Sequence, residues 1–492
     1  MMRRRGTALI VGDSFELRRM VCLVVAIGLL SSLASDGQVT TGGAVLEASD
    51  AEHAYPLKVS ANRRYLLDKN NVPFLIVGDV PQTLVTRLTP GDAAQYMEDR
   101  AAHGFNSLWI NVLSAGPYYH ASRNDGGTYD GILPFTGYLG AEKDLAHNDL
   151  SKPNEQYFTR VDQMLNLATQ FGMLVFLDPI ETGQWLPTLR NNGADASFAY
   201  GQFLGRRYGH RDNIVWLSGN DFGQWKKPEV DAIVLAVAKG IRSVAPDQMQ
   251  TVELHVGKSS SADDPAWVPV ISLNGSYAYQ PTYFQMWHSY NQTPVMPTFL
   301  LEGHYDFADN NPDVYGTPSV LRRQEYWAML SGGTGQLYGN AYTDEFLPGW
   351  RDYVDTTGVT QLTIWRSFFS SLPWQNLVPD QDHTVVTAGF GNPGGPEDRA
   401  NNVDFCTAAR SEDGALVVAY MPTPREITVD MARLKGPAAG AWFDPVNGRY
   451  VAIPGGPIAN SGLKHFMPPR KVHDDDGDGD WVLLLDASGR EF

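Results

Sequence analysis

What most limits the folds open to this chain is an alternation. Between Phe74 and Asn340, eight short apolar runs are separated by stretches of helical length. The runs cover 73–79, 106–112, 173–178, 213–218, 251–255, 270–274, 298–302 and 335–340. They are too short to be free-standing helices and read as strands buried on both faces. Between and after them, helices are expected over 89–103, 154–171, 196–208, 228–243, 280–290, 318–330 and 359–370. Thr89 can cap the first of these, with Pro90 at its first position. Strands alternating with helices imply parallel pairing through right-handed crossovers. Eight such units over roughly 300 residues fit a (β/α)8 TIM barrel. A doubly wound open sheet competes, but it wants a glycine-rich phosphate turn after its first strand. Gly78-Asp79-Val80-Pro81 is not such a turn.

The flanks follow other rules. Arg3, Arg4, Arg5, Arg18 and Arg19 precede the apolar run Val21–Leu30, and Ser32-Leu33-Ala34 offers small residues for cleavage. That is the pattern of an export signal, expected over 1–35, so the protein is expected to be secreted or periplasmic. A polar linker, 36–55, leads to a β-hairpin and the barrel, 56–372. Beyond it, 373–492 carries short strands at 384–387, 404–409, 415–420, 426–430, 440–443, 450–453 and 481–486, with Gly, Pro and Asn between them. Short strands so spaced predict an antiparallel β-sandwich. Cys22 falls in the signal, which leaves Cys406 without an internal partner.

The strand ends carry the polar residues. They are Asp79, Asn111, Asp178, Asn220-Asp221, His255, Glu302 and Asn340. In a parallel barrel all of these lie on one rim, where the chemistry is done. Asp221 and Glu302 stand on strands four and seven, nearly opposite each other around the ring. Two facing carboxyls suit hydrolysis of a glycosidic bond: one gives a proton to the leaving oxygen while the other attacks or stabilises the anomeric carbon. Asn220 can hold a sugar hydroxyl beside them. The alternative for the pair is structural, with Asp221 capping a helix and Glu302 pairing with Arg322 or Arg323. Tyr277, Tyr305, Tyr338, Trp109, Trp185 and Trp350 are candidate sugar platforms; core packing is the competing expectation for all but Trp185 and Trp350, which are expected in loops. His255 and His304 can hydrogen-bond a sugar or the carboxylates. No metal or cofactor is expected, since no His/Cys cluster has zinc spacing. The acidic run 473–480 has calcium-loop character but neither flanking helices nor a closing Glu, and reads as a solvated hairpin tip.

These motifs carry a resemblance. Arg63–Asp79, Ile214–Asp221, Leu301-Glu-Gly-His304, Leu321–Trp327 and Gly332–Asn340 resemble the apiosidase-like glycoside hydrolases. In that family a TIM barrel precedes a small β-domain named for collagen binding in a collagenase. The resemblance extends over about 56–486. It implies an acid/base role for Asp221 and a nucleophile role for Glu302. The placement also resembles the large retaining clan of barrel glycosidases, with Asn-Asp here in place of the usual Asn-Glu.

Three functions remain to be weighed. The first is an exported glycosidase acting on a plant or microbial polysaccharide, so that the expected partner is a carbohydrate substrate. The second is a non-catalytic carbohydrate- or matrix-binding protein on a glycosidase scaffold. The third, a peptidase, lacks both a His-Glu-x-x-His pair and a nucleophile elbow. A net charge of −17 disfavours nucleic acid as a partner. The apolar run of the signal is too short for a comfortable membrane span.

Overall fold

The computed structural model describes residues 53–255, 257–308, 314–471, 479–490 and 492. The expected export signal lies outside them, as does most of the acidic run. The barrel strands are β1 (Ile76–Asp79), β2 (Ser107–Asn111), β3 (Leu174–Asp178), β4 (Ile214–Phe222), β5 (Gln250–Leu254), β6 (Asn274–Ala278), β7 (Thr298–Glu302) and β8 (Gly333–Tyr338). They pair in the order β5-β4-β3-β2-β1-β8-β7-β6, every neighbour parallel. The short strand Lys258–Ser260 adds antiparallel to β6. At the seam between β5 and β6 the Ser272 amide donates to the Gln250 carbonyl over 2.8 Å. The eight strands thus form a nearly closed TIM barrel.

Helices α1 (Pro90–Ala102), α2 (Glu155–Gln170), α3 (Thr182–Tyr208), α4 (Pro228–Val244), α5 (Thr282–Asn291), α6 (Pro318–Leu330) and α7 (Thr357–Ser370) surround the strands. The Thr89 hydroxyl caps α1 by accepting from the Asp92 amide, and Thr317 and Thr356 cap α6 and α7 in the same way. Two elements differ from expectation. The helix expected over 196–208 is present but is preceded by another: α3 consists of two helical segments that meet at Gly193, whose φ is 79°. Strand six is expected at 270–274 but lies at Asn274–Ala278. The apolar residues Val270 and Ile271 close a turn onto the Trp267 carbonyl instead. An apolar run marks burial, and burial alone does not distinguish a strand from a packed turn. The true strand is Asn-Gly-Ser-Tyr-Ala, poor in β-formers. Gly275 is required there, because a Cβ would stand 2.3 Å from Leu301 Cδ1.

The C-terminal strands form two antiparallel sheets. One has six strands, Leu377–Pro379, Thr407–Ser411, Leu416–Met421, Trp481–Asp486, Ala439–Asp444 and Arg449–Ala452; the other has Val386–Ala388, Ile427–Asp430 and Leu463–Phe466. Val417, Ala419, Ile427, Val429, Leu483 and Leu485 make the core between them. The other face of the larger sheet packs on the barrel, where Tyr326 of α6 stacks on Tyr420 with centroids 4.8 Å apart. The buried Arg322 guanidinium donates to Asp480, Nε to Oδ2 at 2.9 Å and Nη2 to Oδ1 at 3.2 Å. Asp480 is therefore a buried anchor and not part of a solvated tip. Arg323 donates to the carbonyls of Ala400, Asn401 and Val403. Both arginines are committed to the β-domain, so neither serves as the structural partner considered for Glu302.

Candidate active site

The end of β4 leaves regular strand geometry. Gly219, Asn220 and Asp221 have φ of 110°, 47° and 56°, and the register against β5 shifts between Ser218 and Phe222. Only glycine fits at 219, since a Cβ would lie 2.4 Å from the Glu253 carbonyl oxygen. Left-handed backbone at a non-glycine residue costs about 1–3 kcal/mol and persists only where surroundings enforce it. Here the Asp221 amide donates to Glu253 Oε2 over 2.7 Å, and the Thr182 hydroxyl donates to the Asn220 carbonyl over 3.0 Å. The bulge thereby leaves the Asp221 side chain partly exposed, at 28%. The Tyr118 hydroxyl donates to its Oδ2, and His255 Nδ1 lies 3.1 Å from its Oδ1.

Glu302 closes β7 and is 7% exposed. The Tyr279 hydroxyl donates to its Oε1, and Tyr305 and Glu253 also hydrogen-bond it. Burial, and then the charge of Asp221, push Glu302 up to about 8 against the pull of these hydrogen bonds. Glu253 is driven well above the usual carboxylate range by burial and by its two acidic neighbours, Glu302 and Asp221. Three carboxyls from β4, β5 and β7 therefore act on one another. The hydrogen-bonded pair Glu253 and Glu302 titrates as a unit and holds a proton at neutral pH. A protonated carboxyl beside an ionised one is what acid-assisted cleavage of an acetal requires.

Aromatic rings wall the cluster. Tyr277 meets His255 edge-on at 5.0 Å and Tyr279 at 5.2 Å. Burial keeps the phenols of Tyr118, Tyr277 and Tyr305 far above their ordinary range, so they act as donors. His304 is buried and Nε2 donates to the Tyr279 carbonyl over 2.8 Å. Burial pulls this imidazole down to about 4, so it is neutral. Several buried polar atoms nearby have no protein partner: Asn220 Nδ2, Asp178 Oδ2, Glu181 Oε1 and His304 Nδ1. Buried polar atoms are normally satisfied, so a local surplus is what a site awaiting polar ligands looks like.

Of the residues singled out by sequence, Asp221, Glu302, Asn220, His255, Tyr277 and Tyr305 come together around this cluster, with His304 behind Tyr279. Others are used by the protein itself. The Asp79 carboxyl takes the Tyr96 hydroxyl and the Val80 amide beside Arg100. Asn111 accepts from Trp109 Nε1 and donates to the Tyr119 hydroxyl, which in turn donates to Gln82. Tyr338 donates to Asp306 over 2.9 Å, and Asn340 donates to the Tyr353 carbonyl and accepts from the Tyr342 amide. Asp178 accepts from the Ile180 amide with one oxygen only. Trp109 is fully buried. Trp185 is no loop platform: it lies in α3, fully buried against Phe135. Trp350 sits in a short 3-10 turn and packs edge-on against Tyr96 and Phe346.

Sequence reasoning missed Tyr118, Tyr279 and Glu253. Tyr118 sits in the long loop between β2 and α2, and a connection of that length is more often functional than filler. Tyr279 lies just past the misplaced strand six. Glu253 had a readable signal, an acid between Val252 and Leu254 in a buried strand. Among the described residues the groups spaced for a metal ion are Asp99 with His103 and Asp355, and Glu142 with Asp144 and His147. Neither includes a member of the carboxyl cluster.

Comparison with known proteins agrees with this architecture. Residues 60–376 match the family model "Apiosidase-like, catalytic domain", and 396–486 match "Putative collagen-binding domain of a collagenase". No curated protein sequence matches the chain. A solved structure described as a glycoside hydrolase superposes with a TM-score of 0.72 at 22% identity, covering 89% of this chain and 98% of its own. A family 5 glycoside hydrolase from Bacteroides vulgatus gives 0.72 at 21% identity, covering 89% and 94%. At these identities the structural likeness speaks for the fold, and the family match over the barrel speaks for the kinship. The chain belongs to the apiosidase-like family of glycoside hydrolases.

Proposed function

We propose that this glycoside hydrolase is exported and removes sugars from a plant or microbial polysaccharide by double displacement, with retention. The Glu302 carboxylate attacks the anomeric carbon as the glycosidic C–O bond breaks, and Asp221 gives its proton to the leaving oxygen. Water then attacks the same carbon, Asp221 takes a proton back, and Glu302 leaves as carboxylate. Asn220, with its unpartnered Nδ2, would hold the hydroxyl next to the reacting carbon. The arginine-flanked apolar run near the N-terminus supports export.

The observation that carries this reading is the placement of Asp221 and Glu302 close enough for the charge of one to act on the other, each already held by a tyrosine hydroxyl. Phenol donors favour the ionised form of Glu302, as a nucleophile needs. Asp221, the more exposed of the two, can exchange its proton with water. A panel of aryl apiosides, arabinofuranosides, galactosides and xylosides would identify the sugar. On the substrate that is cleaved, Asp221→Ala and Glu302→Ala should each lose about 10³-fold or more in kcat while keeping the wild-type circular dichroism. Added azide and an activated aryl leaving group should restore turnover to the Asp221 variant. Wild-type activity in either variant without rescue would overturn the roles.

A further inference from the structure

Glu253 is not used in the reaction just described, yet it touches both residues that are. It lies mid-strand in β5 and is 1% exposed. Val252 and Leu254 on either side pack outward into the core beneath the helices, so alternation turns Glu253 toward the barrel axis. Among the described residues no Lys, Arg or His is ion-paired with it. Its Oε2 accepts the Asp221 amide over 2.7 Å, and Oε1 has no donor of its own. Its remaining hydrogen bond is with Glu302.

Two carboxyls share a hydrogen bond only if one carries a proton. Glu302 already receives two phenol donors, from Tyr279 and Tyr305, and such donors favour the ionised form. Glu253 receives one backbone amide and nothing else. The proton therefore belongs on Glu253. The other groups facing it agree: Asp221 from β4, with His255 beyond it, is acidic, and Tyr277 and Tyr305 present neutral phenols.

We propose that Glu253 is a positioning residue: a neutral acid that accepts the Asp221 amide with one oxygen and donates to Glu302 with the other. It would hold the strained end of β4 in place and keep the nucleophile ionised, linking the two catalytic strands through one side chain. This rests on the assignment of Asp221 and Glu302 above. A neutral amide of the same shape can make both bonds, and a thioether of similar size can make neither.

The test compares Glu253→Gln and Glu253→Met in the full chain, with circular dichroism to check folding. On an aryl glycoside that the wild type cleaves, the Gln variant should keep at least about a third of kcat, and the Met variant should lose about 100-fold with KM changed less than about 3-fold. The limbs of the Gln variant's pH profile should stay within about 0.3 unit of wild type. A Gln variant as impaired as the Met variant would overturn the proposal. So would a fall of about one unit or more in its alkaline limb, since that would mean a negative charge had been removed. If the Met variant does not fold, the Gln profile decides alone. A second readout does not depend on turnover. The infrared difference between wild type and the Gln variant at pH 7 should contain one protonated-carboxyl band. A difference without that band would overturn the proposal, whereas absence of all glycosidase activity would count against the Asp221 and Glu302 reading.

Discussion

Glu302 is buried, faces a second acid at Asp221, and still receives hydrogen bonds from Tyr279 and Tyr305. Burial and charge favour its protonated form; the phenols favour the ionised form. The balance pushes the titration it shares with hydrogen-bonded Glu253 up to about 8, against 4.5 for a free Glu side chain. The sign for stability follows. Between those two values the folded chain holds more proton than the unfolded one, so stability falls as pH rises from about 4.5 through 8. With the shared proton resting on Glu253, Glu253→Gln removes that uptake. The variant's melting temperature should gain on the wild type between pH 5 and pH 8.5, by about 1–3 °C, as read by calorimetry. A gap that shrinks with pH would contradict the burial argument. At this scale the catalytic candidates were legible because each acid ends an apolar run. Their supports were not: whether a tyrosine such as Tyr279 donates to Glu302 or packs in the core depends on a few ångströms that spacing does not encode.

The element that shapes the site is the end of β4. Three consecutive residues with positive φ replace regular strand, and the Glu253 carboxyl holds their backbone through the Asp221 amide. Gly219→Ala puts a methyl into the β5 backbone at a left-handed position. It should destabilise the chain by about 2–3 kcal/mol in urea titration and lower kcat by about 100-fold, because Asp221 is displaced with the strand. An active, equally stable variant would show that this geometry does not matter. Helices with an apolar stripe and a cap, such as α1 and α6, could be read from sequence nearly to their ends, since capping chemistry is local. The failures at α3 and β6 were tertiary in origin. The segment of α3 before Gly193 was not expected as helix, and β6 relies on a glycine that makes room for Leu301 and not on its own propensity.

For the whole molecule, the barrel and the β-domain share one apolar core that includes Tyr326, Trp327, Phe368, Tyr420 and Phe443. The buried Arg322–Asp480 pair lies at this junction, and Lys471 and the Tyr420 hydroxyl add to it. Such a junction makes the β-domain a brace for α6 and α7 more than a free-standing module. Arg322→Ala leaves Asp480 buried with too little compensation and should cost about 3–5 kcal/mol. Calorimetry should find one cooperative transition in the wild type, lowered as a whole in the variant. Two separate transitions in the wild type would contradict the shared core. That antiparallel sheets follow the barrel was readable from the change of rhythm along the chain. The interlock was not, because the sequence does not reveal that Asp480, at the end of an acidic run, turns inward to meet Arg322.

The central claim is that Glu302 attacks the anomeric carbon while Asp221 handles the proton. Trapping with an activated 2-deoxy-2-fluoro glycoside of the sugar the enzyme cleaves tests it most directly, followed by intact-protein and peptide mass spectrometry. The account predicts one glycosyl adduct per chain, on the peptide containing Glu302. An adduct on Asp221 would contradict it, as would the absence of any adduct in an enzyme whose first product has inverted configuration.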